Sequence, residues 1–409
     1  MYYKHYGDSG ASSESNTSEL LLGDQAIARG AWEAGARVVT AYPGTPSTEI
    51  TEAAAQYAEL NTQWAPNEKV AMEVAFGASL AGARSLVCMK HVGMNVAADP
   101  MFTAAYTGVN AGFVIAVADD PAMHSSQNEQ DSRYYARAAH LPMLEPSDSQ
   151  ECKDYTKYAF ELSEALDTPV MIRITTRIAH ARSIVNEGPR EEIEVRAYEK
   201  NVAKYVMIPA MARKRHLAVE QRESAFAEDV NNSPLNTVEM RGKAIGVITS
   251  GVNYQYVRDA LPDASVLKLG VVYPLPMKTI ADFAAKVDRL LVIEELEGLI
   301  ETDIKAAGIA CDGKALTGIQ GELTVEKIKH AVLGTPLPQL QQAELPGRPP
   351  TLCPGCPHRG VFHVLKKLKM RVMGDIGCYT LASLPPLSAM DACLCMGASI
   401  GMASGAERA

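Results

Sequence analysis

The chain has 409 residues, 47% of them apolar and 21% charged, with a formal net charge of −9. That composition supplies buried cores for two to three globular domains, while the negative balance argues against a nucleic-acid binder, whose phosphate contacts demand a basic face. No run approaches the roughly 18 apolar residues of a membrane helix, and the polar opening MYYKHYGDSGASSESNTS lacks the apolar core of a secretory signal.

Residues 1–18 therefore read as a mobile tail. Residues 20–34 have helical periodicity and lead into the strand RVVTA at 37–41, which feeds the turn Tyr42-Pro43-Gly44-Thr45-Pro46-Ser47. An Ala/Gly-rich helix is predicted over 68–83, a strand over 85–90, a helix over 95–108, and an apolar strand over 113–118 that ends in Asp119-Asp120-Pro121. A helix over 147–166 and a strand over 169–175 close the series. Apolar strands without polar alternation, separated by helices, indicate a parallel sheet covered on both faces. Residues 19–182 thus read as one α/β domain.

Residues 183–242 are charge-rich and read as a linking segment with one or two exposed helices. The βα alternation resumes over 243–333 with AIGVITSG, SVLKLGVVYPLP and RLLVIEELEG. A Pro-rich linker covers 334–350. The last unit, 351–409, ends in GASIGMASGA, a small-residue run that suits a closely packed helix. In an α/β domain such a helix leads to another strand and a ligand-binding turn, so this unit is expected to be the front of a domain and the chain a fragment.

Several residues carry chemistry by type and place. A hydroxyl-rich turn at the carboxyl end of a parallel strand lies where open α/β sheets bind ligands. Thr45 and Ser47 there suit either a substrate carboxylate or the cap of a helix starting at Thr48. Glu68 opens a helix, where a carboxylate is also simply favourable against the dipole. Glu68 and Glu73 are five residues apart and project to different sides, so they make no paired-carboxylate site. His91, His124 and His140 lie near strand ends or loops, in no zinc-like spacing. Of eight cysteines, Cys88, Cys152 and Cys311 stand alone and read as core residues. Cys353 and Cys356 in a C-x2-C pair, with Cys378, suit metal or cluster binding in a reducing cytosol. The residues by themselves leave an iron–sulfur cluster, a zinc ion and unligated thiols open.

Together, YPGTPSTEI, NEKVAMEVAFGASLAGAR, MKHVGMNVAADP, CPGCPHRG and GDIGC resemble the alpha subunit of indolepyruvate ferredoxin oxidoreductases, a branch of the thiamine-diphosphate-dependent 2-oxoacid:ferredoxin oxidoreductases. The resemblance runs in order from about Glu19 to the end. It implies a thiamine-diphosphate-binding α/β fold: a pyrimidine-binding domain, a transketolase-C-terminal-like domain, and the start of a second, diphosphate-binding domain. It implies oxidative decarboxylation of an arylpyruvate to an acyl-CoA, with thiamine diphosphate, Mg2+, 4Fe-4S clusters and coenzyme A. A smaller beta subunit and ferredoxin are the implied partners, in a cytoplasmic hetero-oligomer. Another 2-oxoacid as substrate, or an inactive scaffold, are the alternatives. Glu68, nine residues before Gly77 in E-x8-G-A-S, matches the glutamate that hydrogen-bonds the aminopyrimidine and promotes loss of the thiazolium C2 proton. Thr45 matches a substrate-contacting threonine, Gly377 a cofactor-binding position, and Cys353, Cys356 and Cys378 resemble cluster ligands. The Gly-Asp…Asn motif for magnesium and diphosphate is expected beyond Ala409, since Gly374-Asp375 precedes the small-residue helix. The main cluster-binding cysteine motifs are expected outside this chain as well.

Overall fold

Residues 113–118, the most uniformly apolar of the expected strands, are buried along their whole length. Phe113, Ile115 and Val117 enter one hydrophobic core and Val114, Ala116 and Ala118 another. A strand that feeds two cores has both faces covered, which explains the missing polar alternation.

The structure, a computed structural model, describes residues 17–338, 346–347 and 350–409. The expected tail up to residue 16, and residues 339–345 and 348–349 of the expected linker, lie outside the described residues. Two compact units are present, Met1–Leu337 and Pro338–Ala409.

In the first unit the elements run β1 (Ser18–Leu22), α1 (Gly23–Glu33), β2 (Val38–Ala41), α2 (Thr48–Ala54), β3 (Asn61–Trp64), α3 (Glu68–Leu80), β4 (Ser85–Lys90), α4 (His91–Val96), α5 (Ala98–Thr107) and β5 (Phe113–Asp119). There follow α6 (Arg133–Ala138), β6 (Met143–Leu144), α7 (Ser149–Leu166), β7 (Val170–Thr175), α8 (Thr176–His180), β8 (Arg182–Asn186), α9 (Val202–Tyr205) and α10 (Pro209–Asp229). The remainder is β9 (Thr237–Glu239), β10 (Gly246–Ser250), α11 (Val252–Ala260), β11 (Ser265–Leu269), β12 (Val271–Tyr273), α12 (Met277–Ala284), β13 (Leu290–Ile293), α13 (Leu299–Ala306), α14 (Lys314–Thr317) and α15 (Val325–Leu333). Seven strands form one sheet in the order β12-β6-β7-β5-β4-β2-β3. All its neighbouring pairs are parallel except β12 with β6. A second sheet, β13-β10-β11-β9, is parallel but for β9. Ile248, Leu267 and Val292 of the second sheet share a core with Ile115 and Met171 of the first.

Three local expectations change. Residues 18–22 form a strand rather than a helix start, because they pair antiparallel with β8 from Ser18↔Asn186 to Leu22↔Arg182, and such pairing overrides local periodicity. The helix expected over 95–108 is two helices meeting at Ala97. The run SVLKLGVVYPLP is two strands that enter different sheets. The break falls at Gly270, where an added Cβ would lie 2.5 Å from the Leu235 carbonyl oxygen and 2.6 Å from the Tyr155 hydroxyl. Within residues 183–242, α10 is docked rather than free: it buries Val219 and Phe226, and Arg215 Nε donates to the Tyr106 carbonyl at 2.6 Å.

The carboxyl ends of the two sheets are joined by buried charge. Arg173 on β7 donates to Asp119 Oδ2 at 2.7 Å and to Glu145 Oε1 at 2.6 Å. Glu145 Oε2 accepts in turn from Ser250 Oγ at the end of β10, at 2.9 Å. Arg133 spans Asp131 and Glu294, at 2.6 and 2.5 Å, and also donates to the Glu295 and Glu297 carbonyls. Both arginines are at most 1% exposed.

The second unit comprises α16 (Pro357–Lys367), β14 (Met373–Gly374), β15 (Ala392–Cys393) and α17 (Ala398–Arg408). β14 and β15 pair in parallel, over a small core of Leu352, Phe362, Ala382 and Ala389. The small-residue run forms α17 as expected, and none of its residues is buried. Among the described residues no helix is long and apolar enough to cross a membrane.

Removing one partner from a desolvated ion network strands the others. Arg173→Met should therefore lower stability by about 3–5 kcal/mol, read as a shift in the urea unfolding midpoint. A loss below about 1 kcal/mol, the range of exposed pairs, would show that the network is not a structural joint.

Candidate active site

Because β2, β3, β4 and β5 are parallel neighbours, the segments that follow them gather at one sheet edge, where open α/β sheets bind ligands. Those segments carry the turn with Thr45, the helix start with Glu68, the pair Lys90-His91, and Asp119-Asp120.

Glu68 is the first residue of α3, whose cap is Asn67: its Oδ1 accepts from the Val70 amide at 2.9 Å. The Glu68 side chain lies against the backbone of Gly93, where an added Cβ would come within 2.6 Å of Glu68 Cγ and 2.7 Å of Oε1. Only 8% of Glu68 is exposed. Burial raises its pKa above the ordinary glutamate value, against a backbone hydrogen bond and the Lys90 charge, which act the other way. Glu73, by contrast, is 47% exposed and ion-paired with Lys69, so the five-residue spacing does separate the two carboxylates.

Lys90 ends a fully buried strand and is itself buried. Its stem fills the space a Gly44 side chain would take, 3.1 Å from Cδ, and Nζ donates to the Ser125 carbonyl at 3.0 Å. Burial lowers the Lys90 pKa, and the Asp120 and Glu68 carboxylates offset part of that. Ser125 Oγ reaches back to the Thr45 carbonyl at 3.4 Å. Asp120 accepts from the Ser125 amide, Ser126 Oγ and Thr176 Oγ1 at 2.9, 2.7 and 2.8 Å. Burial works against its ionisation, but these hydrogen bonds prevail and hold its pKa below the usual value. The Thr45 turn and Lys90 are thus linked through one loop, and the Lys90 charge acts on Glu68.

Thr45 is exposed at this edge, and the Thr45–Pro46 peptide is cis. Ser47 stands at the cap of α2 but makes no capping hydrogen bond. Its Oγ donates to the Gly44 carbonyl at 2.9 Å, while Thr48 Oγ1 accepts from the Gly44 amide at 2.9 Å. The hydroxyls of Ser47 and Thr48 brace the turn, and neither caps the helix.

Of the three histidines, only His91 belongs to this cluster. It is buried, and its Nε2 lies 3.0 Å from the Asn128 carbonyl. Burial, opposed by Asp119, lowers its pKa and favours the neutral ring. His124 Nε2 lies 3.1 Å from a Glu322 carboxylate oxygen and His140 Nδ1 2.7 Å from one of Glu223.

In the second unit, Cys353 and Cys378 are exposed and Cys356 is half-buried at the cap of α16. Among the described residues these thiols do not lie within 4.8 Å of one another as a group. A single tetrahedral zinc with Zn–S near 2.3 Å places its sulfurs about 3.8 Å apart. Gly377 is exposed, and its amide donates to Thr380 Oγ1 at 3.0 Å. Asp375 accepts from the Ser399 amide and hydroxyl at 2.6 and 2.8 Å. Its carboxylate is taken up within the unit.

Lys90, Gly93, Asp120 and Ser125 were not singled out from sequence. The available signal was a lysine closing a wholly apolar strand, since such strands rarely end on a buried charge without a partner. The contact between Gly93 and Glu68 gives a direct check. Gly→Ala within a helix ordinarily stabilises, but Gly93→Ala should destabilise by about 1–2 kcal/mol through overpacking. In a Glu68→Ala background the same change should be neutral or stabilising, a double-mutant cycle read by thermal or urea unfolding. Equal effects in both backgrounds would mean that Gly93 does not hold the carboxylate.

The chain matches the family model described as pyruvate flavodoxin/ferredoxin oxidoreductase, thiamine-diphosphate-binding, over residues 29–237, and an indolepyruvate oxidoreductase domain over 236–323. It is 43% identical to indolepyruvate oxidoreductase subunit IorA of Pyrococcus abyssi, across 94% of this chain and 65% of that protein. It is 40% identical to IorA of Archaeoglobus fulgidus, across 94% of this chain and 67% of that protein. A solved structure of 2-oxoglutarate:ferredoxin oxidoreductase from Magnetococcus marinus, with 2-oxoglutarate, coenzyme A and succinyl-CoA bound, has a similar fold. The TM-score is 0.67 at 18% identity, over 78% of this chain and 65% of that one. The chain therefore spans about two thirds of the length of the curated relatives it matches. On the strength of the family model and these identities, it belongs to the thiamine-diphosphate-dependent 2-oxoacid:ferredoxin oxidoreductases, in the branch of the indolepyruvate oxidoreductase alpha subunits.

Proposed function

We propose that this chain carries the pyrimidine-side half of the active centre in an indolepyruvate:ferredoxin oxidoreductase, which converts an arylpyruvate to an acyl-CoA. The observation that carries the reading is Glu68: a buried carboxyl on a glycine floor, with raised proton affinity, at the ligand-binding edge of the sheet. Its dry setting suits proton sharing with a ring nitrogen.

When bound, thiamine diphosphate supplies the carbanion-stabilising chemistry that lets carbon dioxide leave a 2-oxoacid. Glu68 holds the proton at N1′ of the aminopyrimidine. Lys90 balances Glu68 and Asp120, which keeps a lone negative charge out of the cleft. Thr45 offers its hydroxyl to the 2-oxoacid. Neutral His91 closes the floor of the edge without adding charge.

Mg2+ would accompany the diphosphate, and Gly377 would be a cofactor-binding position of the second unit. Cys353, Cys356 and Cys378 would ligate a 4Fe-4S cluster on the route to ferredoxin, a reading supported by their C-x2-C spacing. A smaller beta subunit completes the hetero-oligomer, and coenzyme A accepts the acyl group. Eight free thiols suit a reducing, cytoplasmic location.

The test is the assembled oxidoreductase assayed for ferredoxin reduction on a panel of 2-oxoacids. Indolepyruvate should exceed pyruvate and 2-oxoglutarate by at least about tenfold in kcat/KM, the scale on which a pocket separates substrates differing in apolar bulk. Comparable kcat/KM values with pyruvate would end the aryl assignment.

A further inference from the structure

Asp24, at the start of α1, is completely buried, and neither of its carboxylate oxygens has a hydrogen-bond partner. Glu49 on α2 has a buried, partnerless Oε2. His180, the last residue of α8, places Nε2 3.6 Å from that oxygen, beyond hydrogen-bonding reach. One ligand-type atom from each of the three lies within 4.8 Å of the other two.

A buried carboxylate without a partner is strongly disfavoured and takes up either a proton or a counter-ion. No side chain or backbone group donates a hydrogen bond to that of Asp24. Nor does a Lys or Arg pair with Asp24 among the described residues. The neighbouring thiols of Cys88 and Cys152 are held neutral by burial and by the nearby carboxylate, so they add no charge of their own.

We propose that Asp24, Glu49 and His180 form a site for one divalent transition-metal cation, zinc by the chemistry of the set. Two carboxylates neutralise a dication. Two oxygens and one imidazole nitrogen are ligands zinc accepts at about 2.0–2.2 Å, with a fourth position left for water. The His180 and Glu49 side chains are 36% and 35% exposed, which provides an entry path to the buried Asp24. The ligands come from three segments, and their framework is tight: an added Cβ on Gly23 would lie 2.1 Å from the Ile178 carbonyl oxygen. A bound cation would therefore clamp α1, α2 and α8 together, four residues past Thr45. The proposal stands whether or not the functional reading above holds.

The full chain is stripped with chelator and titrated with Zn2+, followed by calorimetry, metal analysis of the dialysed protein and thermal unfolding. One equivalent should bind, and saturating Zn2+ should raise Tm by about 3–5 °C, reversed by chelator. Asp24→Asn and His180→Gln should each weaken binding at least about tenfold. His180→Gln alters a partly exposed side chain and keeps the test valid if Asp24→Asn fails to fold. The triple variant Cys353→Ser, Cys356→Ser, Cys378→Ser should retain the equivalent, and Co2+ at the site should show no thiolate charge-transfer band. Any of three results would overturn the proposal: no zinc taken up and Tm unmoved, binding unchanged in His180→Gln, or binding lost in the cysteine variant alone.

Discussion

Two arginines without access to water, Arg133 and Arg173, tie the carboxyl edges of both sheets in the first unit to one another. Burying that many charges costs a great deal in desolvation and is repaid only by well-aligned partners. Hydrophobic residues of similar volume would often hold as well. What the ions add here is direction: each arginine fixes a strand end and the loop beside it at the same time. Asp119 closes β5, binds Arg173 and also accepts from the Ser132 amide. The loop from Asp120 to Ser132 is therefore anchored at both ends, and that loop carries Ser125, which meets Lys90 and the Thr45 turn.

The candidate catalytic group depends on this scaffold through electrostatics rather than contact. Glu68 gains proton affinity because it is dry, and loses some because Lys90 is near. Lys90 in turn is restrained by Asp120, whose own charge is secured by three hydrogen bonds from Ser125, Ser126 and Thr176. A carboxyl tuned this way costs stability when it ionises, since a raised pKa favours the folded state below the unfolded value and loses that advantage as pH rises through the folded one. Such a cost is ordinary at functional sites, where a perturbed group is kept for its chemistry.

Much of this was legible from residue patterns. The apolar runs of β4, β5 and β7 announced a doubly covered parallel sheet, and the five-residue gap between Glu68 and Glu73 separated the buried acid from the solvated one. What stayed hidden depended on long-range pairing. SELLL became a strand only because β8 lies beside it, and SVLKLGVVYPLP divided at Gly270 because two other segments crowd that backbone. The arginine network was equally hidden: its members are spread from Asp119 to Glu294, and each is unremarkable in its own neighbourhood. The cluster of Asp24, Glu49 and His180 follows no local spacing either, since three helices, α1, α2 and α8, bring it together. Among the cysteines the C-x2-C motif was plain in sequence.

The most direct measurement is deuterium exchange at C2 of thiamine diphosphate in the assembled holoenzyme, compared between wild type and Glu68→Gln. Loss of the proton-holding carboxyl should slow exchange by about two orders of magnitude, the usual worth of a positioned acid–base group. An unchanged exchange rate would contradict the assignment of Glu68 and, with it, the reading of the sheet edge as the cofactor's pyrimidine site.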